Sequence, residues 1–427
     1  MSEATPPEPR SGPITLPRTF SGRLRRMTGR DPNESHRTAT PLELLFDLAF
    51  VVAFSQASGQ FSHFVAENHV AAGLAGFAFS MFAVCWAWVN FSWFASAYDT
   101  DDWFYRITTM VQMIGVVVVA LGIPPLFHSL EVGEYVDNSI VVAGYVVMRI
   151  AMVAQWLRAA HQDPARRRTS LTYAGFITLA QIGWILVAVA HTTFVIAALW
   201  SLVLFAVELV GPYIAERRAG GTPWHAHHIA ERYGLLTIIA LGEGVFGTVT
   251  AVSAVTELQG WTLEAALLVL AGIGLTFGVW WTYFLMPSGI ILQRYRSKAF
   301  VWGYGHIIVF AAIAATGAGL HVAAYVIEGV SEIGTVGAVL SVAIPVLILC
   351  LGIFALYDYL VAEIDRFHFW LIAGTVALLV ASVLAATAGA SLGVCLILIT
   401  LSPYVVVVGY ETLGYKHETA VLAKRLA

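Results

Sequence analysis

Residues 335–359 read TVGAVLSVAIPVLILCLGIFALYDY, a run that is uncharged until Asp358 near its end. A helix needs about 20 mostly apolar residues, at 1.5 Å each, to cross about 30 Å of hydrocarbon. Comparable runs occupy 43–62, 70–97, 104–127, 138–160, 171–190 and 192–215 in the first half. The second half adds 228–254, 262–285, 300–327, 368–388 and 391–413, which with 335–359 makes twelve spans. The connections at 190–192 and 388–391 are so short that each flanking pair is expected to be a helical hairpin. The expected fold is therefore an all-α, polytopic membrane helix bundle.

Composition agrees. Of 427 residues, 58% are hydrophobic and 12% charged, against about 25% charged in a soluble domain. A chain this apolar requires lipid as solvent for most of its length. The net charge of −4 hides a segregation along the chain, and no net-basic domain points to nucleic acid. Cys85, Cys350 and Cys395 each lie inside an apolar run, without metal or disulfide spacing, and read as packing residues.

Charge placement tests the span count independently. With the N-terminus in the cytoplasm, Arg10 through Arg37, Arg158, Arg166 to Arg168, Arg217, Arg218, Arg294, Arg296, Lys298, Arg366, Lys416, Lys424 and Arg425 all fall inside. Arg106, Arg149 and Arg232 lie in helix portions nearest that face, so none of the 23 Lys and Arg residues is external. The external turns carry Glu67, Glu131, Glu134, Asp137, Glu257, Glu328 and Glu332 instead. This is the positive-inside pattern, and a miscount of one helix would invert the later turns. A multi-pass protein of the cell (plasma) membrane with both ends cytoplasmic is expected.

Five segments follow. Residues 1–41 hold seven arginines and several prolines but no apolar h-region, and read as a disordered basic cytoplasmic arm, a candidate for binding anionic lipid. Residues 42–215 and 228–413 are two six-helix membrane halves, joined by a cytoplasmic linker at 216–227 and followed by a tail at 414–427. The halves look weakly alike. Glu43 and Glu231 open the first and seventh spans, while Trp86 with Trp88, and Trp280 with Trp281, close the second and eighth. Six spans per half suggest a parallel six-plus-six duplication, an arrangement found in secondary transporters. Compositional likeness between apolar segments is the plainer alternative.

Two segments carry a family resemblance. Residues 41–56, PLELLFDLAFVVAFSQ, and 228–243, HIAERYGLLTIIALGE, are similar to the two signatures of the bacterial low-temperature-requirement protein A family. The likeness spans roughly residues 38–415 and leaves out most of the basic arm. It implies a multi-spanning membrane protein named for a cold-growth phenotype, with no biochemical activity attached.

Charges inside a bilayer cost at least about 2.5–3.5 kcal/mol each and so need a partner or a purpose. Glu243 is the deepest, twelve residues beyond Glu231, and shares a helix face with Arg232. Arg232 is about 16 Å away along the axis, so the partner of Glu243 must come from another span. The first span, through Glu43 and Asp47, is the expected source. Glu43 and Asp47 are four apart and share a face with Phe50, Phe54 and Ser58. Two such carboxylates call for a proton or a cation between them, with Arg37, Arg149 and Arg232 available. A structural ion pair, or a carboxylic acid hydrogen-bonded within the bundle, is the plainer reading. Arg149, Glu208 and Asp358 are secondary candidates for which snorkelling or local pairing is the ordinary account. His306 and His321 are too far apart to share one metal and read as packing residues.

Three patterns are declined. The G-x-G-x-x-G match at 242–247 lies within an apolar helix and reads as a close-packing surface. His225, His227, His228 and Glu231 read as a solvated helix start. The tryptophans at 86, 88, 93, 103, 280, 281 and 302 read mainly as an aromatic belt at the interface. No metal, cofactor or catalytic set is expected, and the oligomeric state is left open. The favoured function is a secondary transporter of a small solute, with proton coupling through the carboxylates. A membrane sensor or structural protein in cold adaptation is the alternative, with a lipid-modifying enzyme ranked third.

The topology makes a direct prediction. A cysteine placed at Glu131 or Glu328 should label from outside the cell, and a reporter fused after Ala427 should behave as cytoplasmic. External labelling at residues 166–168 would overturn the span count.

Overall fold

A computed structural model of the protein describes residues 24–34, 37–133, 135–218, 220–362 and 366–414. Among these residues the secondary structure is helical, without strands. The helices are α1 (Pro41–Ala66), α2 (Val70–Tyr98), α3 (Trp103–Val132), α4 (Ser139–Gln162), α5 (Arg167–Ala190), α6 (Phe194–Glu216) and α7 (Ala226–Gln259). The second half continues with α8 (Leu263–Phe284), a short α9 (Ser288–Arg294), α10 (Ala299–Glu328), α11 (Gly334–Val361), α12 (Arg366–Thr387) and α13 (Leu392–Gly409). Twelve of the helical segments are long and apolar enough to cross a bilayer, as the hydropathy pattern requires.

Local signals set the helix starts. At α1 the Thr40 side chain accepts from the Glu43 backbone, the Glu43 carboxylate accepts from the Thr40 backbone, and Pro41 opens the helix. This is a complete capping box. Asp102, Thr262 and Ser391 cap α3, α8 and α13 in the simpler way. Prolines lie inside α3, α6, α11 and α13, and neighbouring helices make such breaks tolerable in a membrane.

Burial ranks the helices. In α10, 78% of the most apolar stretch is buried, against 22% in α6 and 28% in α12. α10 is therefore the central post, packed against α7, α11, α1 and α2, while α6 and α12 face outward. The outward faces are apolar, with Val189, Leu186, Leu199 and Trp370 exposed. Such surface fits hydrocarbon and not water.

The two ends of the bundle differ. At one, Thr169 donates to the Arg218 carbonyl (2.8 Å), and Arg296 to that of Trp224 (2.7 Å). At the other, the Glu332 amide donates to the Ala66 carbonyl (2.8 Å), and the Val136 amide to that of Thr192 (3.3 Å). The turns rich in Lys and Arg thus gather at one end, and turns without either residue at the other. Residues 24–34 and 37–40, inside the segment read as a disordered arm, are packed at the basic end. Met27 is fully buried, and the Gly29 amide donates to Asp163 (3.2 Å). The acidic turn from Asp99 to Asp102 supplies further partners, with Arg158 bonded to Asp102 as well. Residues 1–23 and 415–427 lie outside the described residues.

Neighbour order partly repeats between the halves. α1 packs on α2 and α3 as α7 packs on α8 and α10, and α3 to α6 run as neighbours in sequence as α10 to α13 do. The correspondence is uneven at α8, which lies closely along α13 where the equivalent pair, α2 and α6, is held mainly through side chains. Its counterpart α2 meets α6 through Phe79, Phe82 and Trp86.

The α7–α10 crossing depends on glycine. A Cβ at Gly317 would lie 2.6 Å from the backbone of Glu243, and one at Gly247 would lie 2.6 Å from the Gly317 carbonyl oxygen. Backbone cannot yield as a side chain can, so Gly317→Ala should destabilise by about 1–3 kcal/mol, the usual penalty of overpacking. Gly242→Ala, with nothing within 4 Å of its added carbon, should leave the melting temperature of the detergent-solubilised protein unchanged or higher. Equal melting temperatures for the two variants would refute this account of the crossing.

Candidate functional site

The two motif segments meet. In α1, Glu43 Oε2 is held by the capping box, accepting from the Thr40 amide at 2.7 Å. Its other oxygen, Oε1, lies 3.1 Å from His228 Nε2, 3.7 Å from Arg37 Nη2 and 3.9 Å from Arg232 Nη1. One turn further, Asp47 Oδ1 accepts from Arg232 Nη2 (2.5 Å) and from Trp88 Nε1 (2.7 Å). Arg232 also donates to Ser92 Oγ (3.2 Å), and its guanidinium lies over the Trp88 ring, 5.6 Å from the centroid. Arg37 reaches Asp99 Oδ2 at 3.6 Å. Glu43, Asp47, His228 and Arg232 are all 0% exposed.

Sealing ionic groups away from water costs several kcal/mol each, which only good pairing offsets. Here the pairing is incomplete. Asp47 Oδ2, His228 Nδ1, and Arg232 Nε and Nη1 are buried without a hydrogen-bond partner. Nor do the formal charges balance: three carboxylates (Glu43, Asp47, Asp99) face two guanidiniums (Arg37, Arg232). Neutrality needs one further proton, on His228 or on a carboxyl group. Asp99, in the turn after α2, is pushed up to about 6 by burial and by the charge of Glu43, with Arg37 opposing. Its neighbour Asp102 shows the contrary case. Burial works to raise it, but hydrogen bonds from Arg158 and from the Tyr105 and Arg25 amides hold it below the usual range.

Glu243 is buried deeper in α7. The polar side chains beside it do come from the first span, but they are Ser58 and Ser55, not Glu43 and Asp47, and its Oε2 is buried without a hydrogen-bond partner. The Ser58 hydroxyl donates to the Ala314 carbonyl of α10 (3.3 Å). Asp47 lies eleven residues before Ser58, about 16 Å along the helix, and the buried rings of Phe50 and Phe54 fill the face between them. Glu231, half-buried, takes no part in the contacts described for the cluster.

The secondary candidates are separate. Arg149, near the middle of α4 and not at its end, donates to Glu208 (3.0 Å), which also accepts from Trp86 Nε1 (2.7 Å). His306 bonds to the Trp302 carbonyl (2.7 Å) and Tyr283 (3.0 Å), a packing arrangement, while His321 is half-buried on the same helix. Asp358 pairs locally with His368 (2.8 Å). The belt reading of the tryptophans fails for Trp86, Trp88 and Trp302, which are almost fully buried. Two of them donate indole protons to buried carboxylates. His225 and His228 are buried, against the reading of a solvated helix start, and His225, His227 and His228 turn to three different partners, Glu34, Gln293 and Glu43. His228 was nonetheless readable: it precedes Arg232 by four residues, on the same helix face.

The model of the bacterial low temperature requirement A protein family matches residues 38–403, from just before α1 into α13. The chain belongs to that family. An uncharacterized protein of Rhizobium meliloti (strain 1021), RA0937, is 27% identical over 312 residues, 68% of this chain and 70% of the relative. No solved structure matches. Both segments that resemble the family's signatures, residues 41–56 and 228–243, thus lie on the two helices that share the ionic cluster.

A double-mutant cycle tests the pairing. Asp47→Leu or Arg232→Met alone strands a buried charge and should destabilise by about 3–5 kcal/mol. The double variant should lose clearly less than the sum of the two, read from unfolding midpoints in detergent. Additive losses would mean that the two side chains do not interact.

Proposed function

We propose that this protein is a secondary transporter of the cell membrane, with both ends in the cytoplasm, that couples movement of a small solute to a proton. One observation carries the reading. The cluster between α1 and α7 is sealed from water and lacks one positive charge, so it holds an exchangeable proton among Glu43, Asp47, Asp99 and His228. A site that gains or loses a proton changes which ion pairs are satisfied, and so biases the packing of α1 on α7. Coupling needs a bistable element of this kind. Glu243, with Ser55 and Ser58, is the second proton station, deeper in the bundle. A parallel six-plus-six duplication, with the path between the halves, would give the two packings their geometry. Arginines at the N-terminal end would hold anionic lipid at the cytoplasmic face.

The test is reconstitution in liposomes with an imposed pH gradient and a panel of solutes. Wild-type protein should move one solute class in step with protons. Glu243→Gln keeps shape and hydrogen bonding but cannot titrate, and should fold at normal abundance while losing coupled uptake. Full coupled uptake in that variant would reduce Glu243 to a packing residue. Proton-independent behaviour of the wild type across the panel would favour the sensor reading instead.

A further inference from the structure

At the acidic end, three helix termini bring a second group of ionisable side chains together. Glu67 ends α1, His69 precedes α2, and Glu131 lies in the last turn of α3. One donor atom from each lies within 4.8 Å of the other two. Two more imidazoles flank them: His63 Nε2 is 3.4 Å from Glu67 Oε1, and His128 Nδ1 is 3.6 Å from Glu131 Oε2. Asn68, with φ 59°, makes the tight reversal between Glu67 and His69, a conformation asparagine accepts more readily than most residues. The scaffold beneath is tightly packed. Phe64 and Phe127 meet edge to face at 5.2 Å, and Gly73 and Gly76 of α2 lie directly against these two rings.

Two carboxylates this close repel each other unless a proton or a cation lies between them. The turns at this end contain no lysine or arginine to serve. We infer that Glu67, His69 and Glu131 bind one divalent transition-metal ion, with His63 and His128 as additional ligands or as hydrogen-bond partners of the carboxylates. Mixed imidazole and carboxylate donors suit Zn²⁺ and its neighbours, whereas Ca²⁺ takes oxygen donors alone. The bound ion would clamp α1, α2 and α3 at one end. It would also stiffen the seat of the α10–α11 turn, whose Glu332 amide bonds to Ala66. In the sequence these residues belong to the ends of three different helices, so no ligand spacing announces the group. The inference does not depend on the transport reading.

The experiment is calorimetric titration of ZnCl₂ and CaCl₂ into the full chain, purified without a histidine tag in detergent. Zn²⁺ should bind with one tight site per chain, weakened roughly tenfold or more in His69→Ala and in Glu131→Gln, the scale on which metal sites respond to lost partners. His321→Ala should leave it unchanged. Both binding variants alter exposed side chains, and size-exclusion profiles matching wild type would show that they fold. Zn²⁺ affinity equal in wild type and in the His69→Ala, Glu131→Gln double variant would overturn the inference, as would Ca²⁺ binding as tight as Zn²⁺.

Discussion

The contact between Arg232 and the carboxylates of α1 joins positions 185 residues apart in sequence. It fixes how the two halves of the chain meet. A guanidinium cannot shed its charge by deprotonation, so wherever α7 goes, Arg232 must find acceptors or remain in water. In this bundle the acceptors are Asp47 and Glu43, with Ser92 and the face of Trp88 completing the surroundings. Without them α7 could not bring its charged face against α1, and α10, which packs on both helices, would lose its seat. A pairing so distant in sequence closes only after much of the chain is in place, since loop closure opposes it.

How far this was readable varies by physical cause. The twelve spans followed from hydropathy because lipid imposes a fixed length on every crossing. The separation of basic and acidic turns followed from charge. At α1, the run from Thr40 through Pro41 to Glu43 announces a helix start, and the four-residue spacing of Glu43 and Asp47 places both on one face. What lay across from that face was not readable. In a soluble helix the apolar stripe marks the inward side, but here hydrocarbon is as apolar as the core and the stripe vanishes. So nothing in the sequence told that Trp86 and Trp88 turn inward, that Asp99 closes the cluster, or that Glu243 meets serines in place of carboxylates.

The aromatic residues take on a different character once placed. Trp88 donates to Asp47, stands edge-on to Tyr233 (5.0 Å), and lies beneath Arg232. Tyr233 in turn contacts Trp302, His306 and Phe310 of α10. A chain of rings thus runs from the ionic cluster into the central helix. Trp88, Tyr233 and His306 each carry a hydrogen bond at the ring edge, which ties packing in α10 to charge in α1.

The capping box at α1 has one further consequence. Glu43 gives one oxygen to the backbone of Thr40 and the other to the side chains of α7 and to Arg37. The same carboxylate is both the keystone of a helix and one terminal of an electrical circuit. Aspartate preserves the charge but is shorter by a methylene, and glutamine preserves the reach but not the charge. Neither exchange can keep both duties. The architecture of the first span and the charge it carries therefore rest on one side chain, and no single exchange separates them.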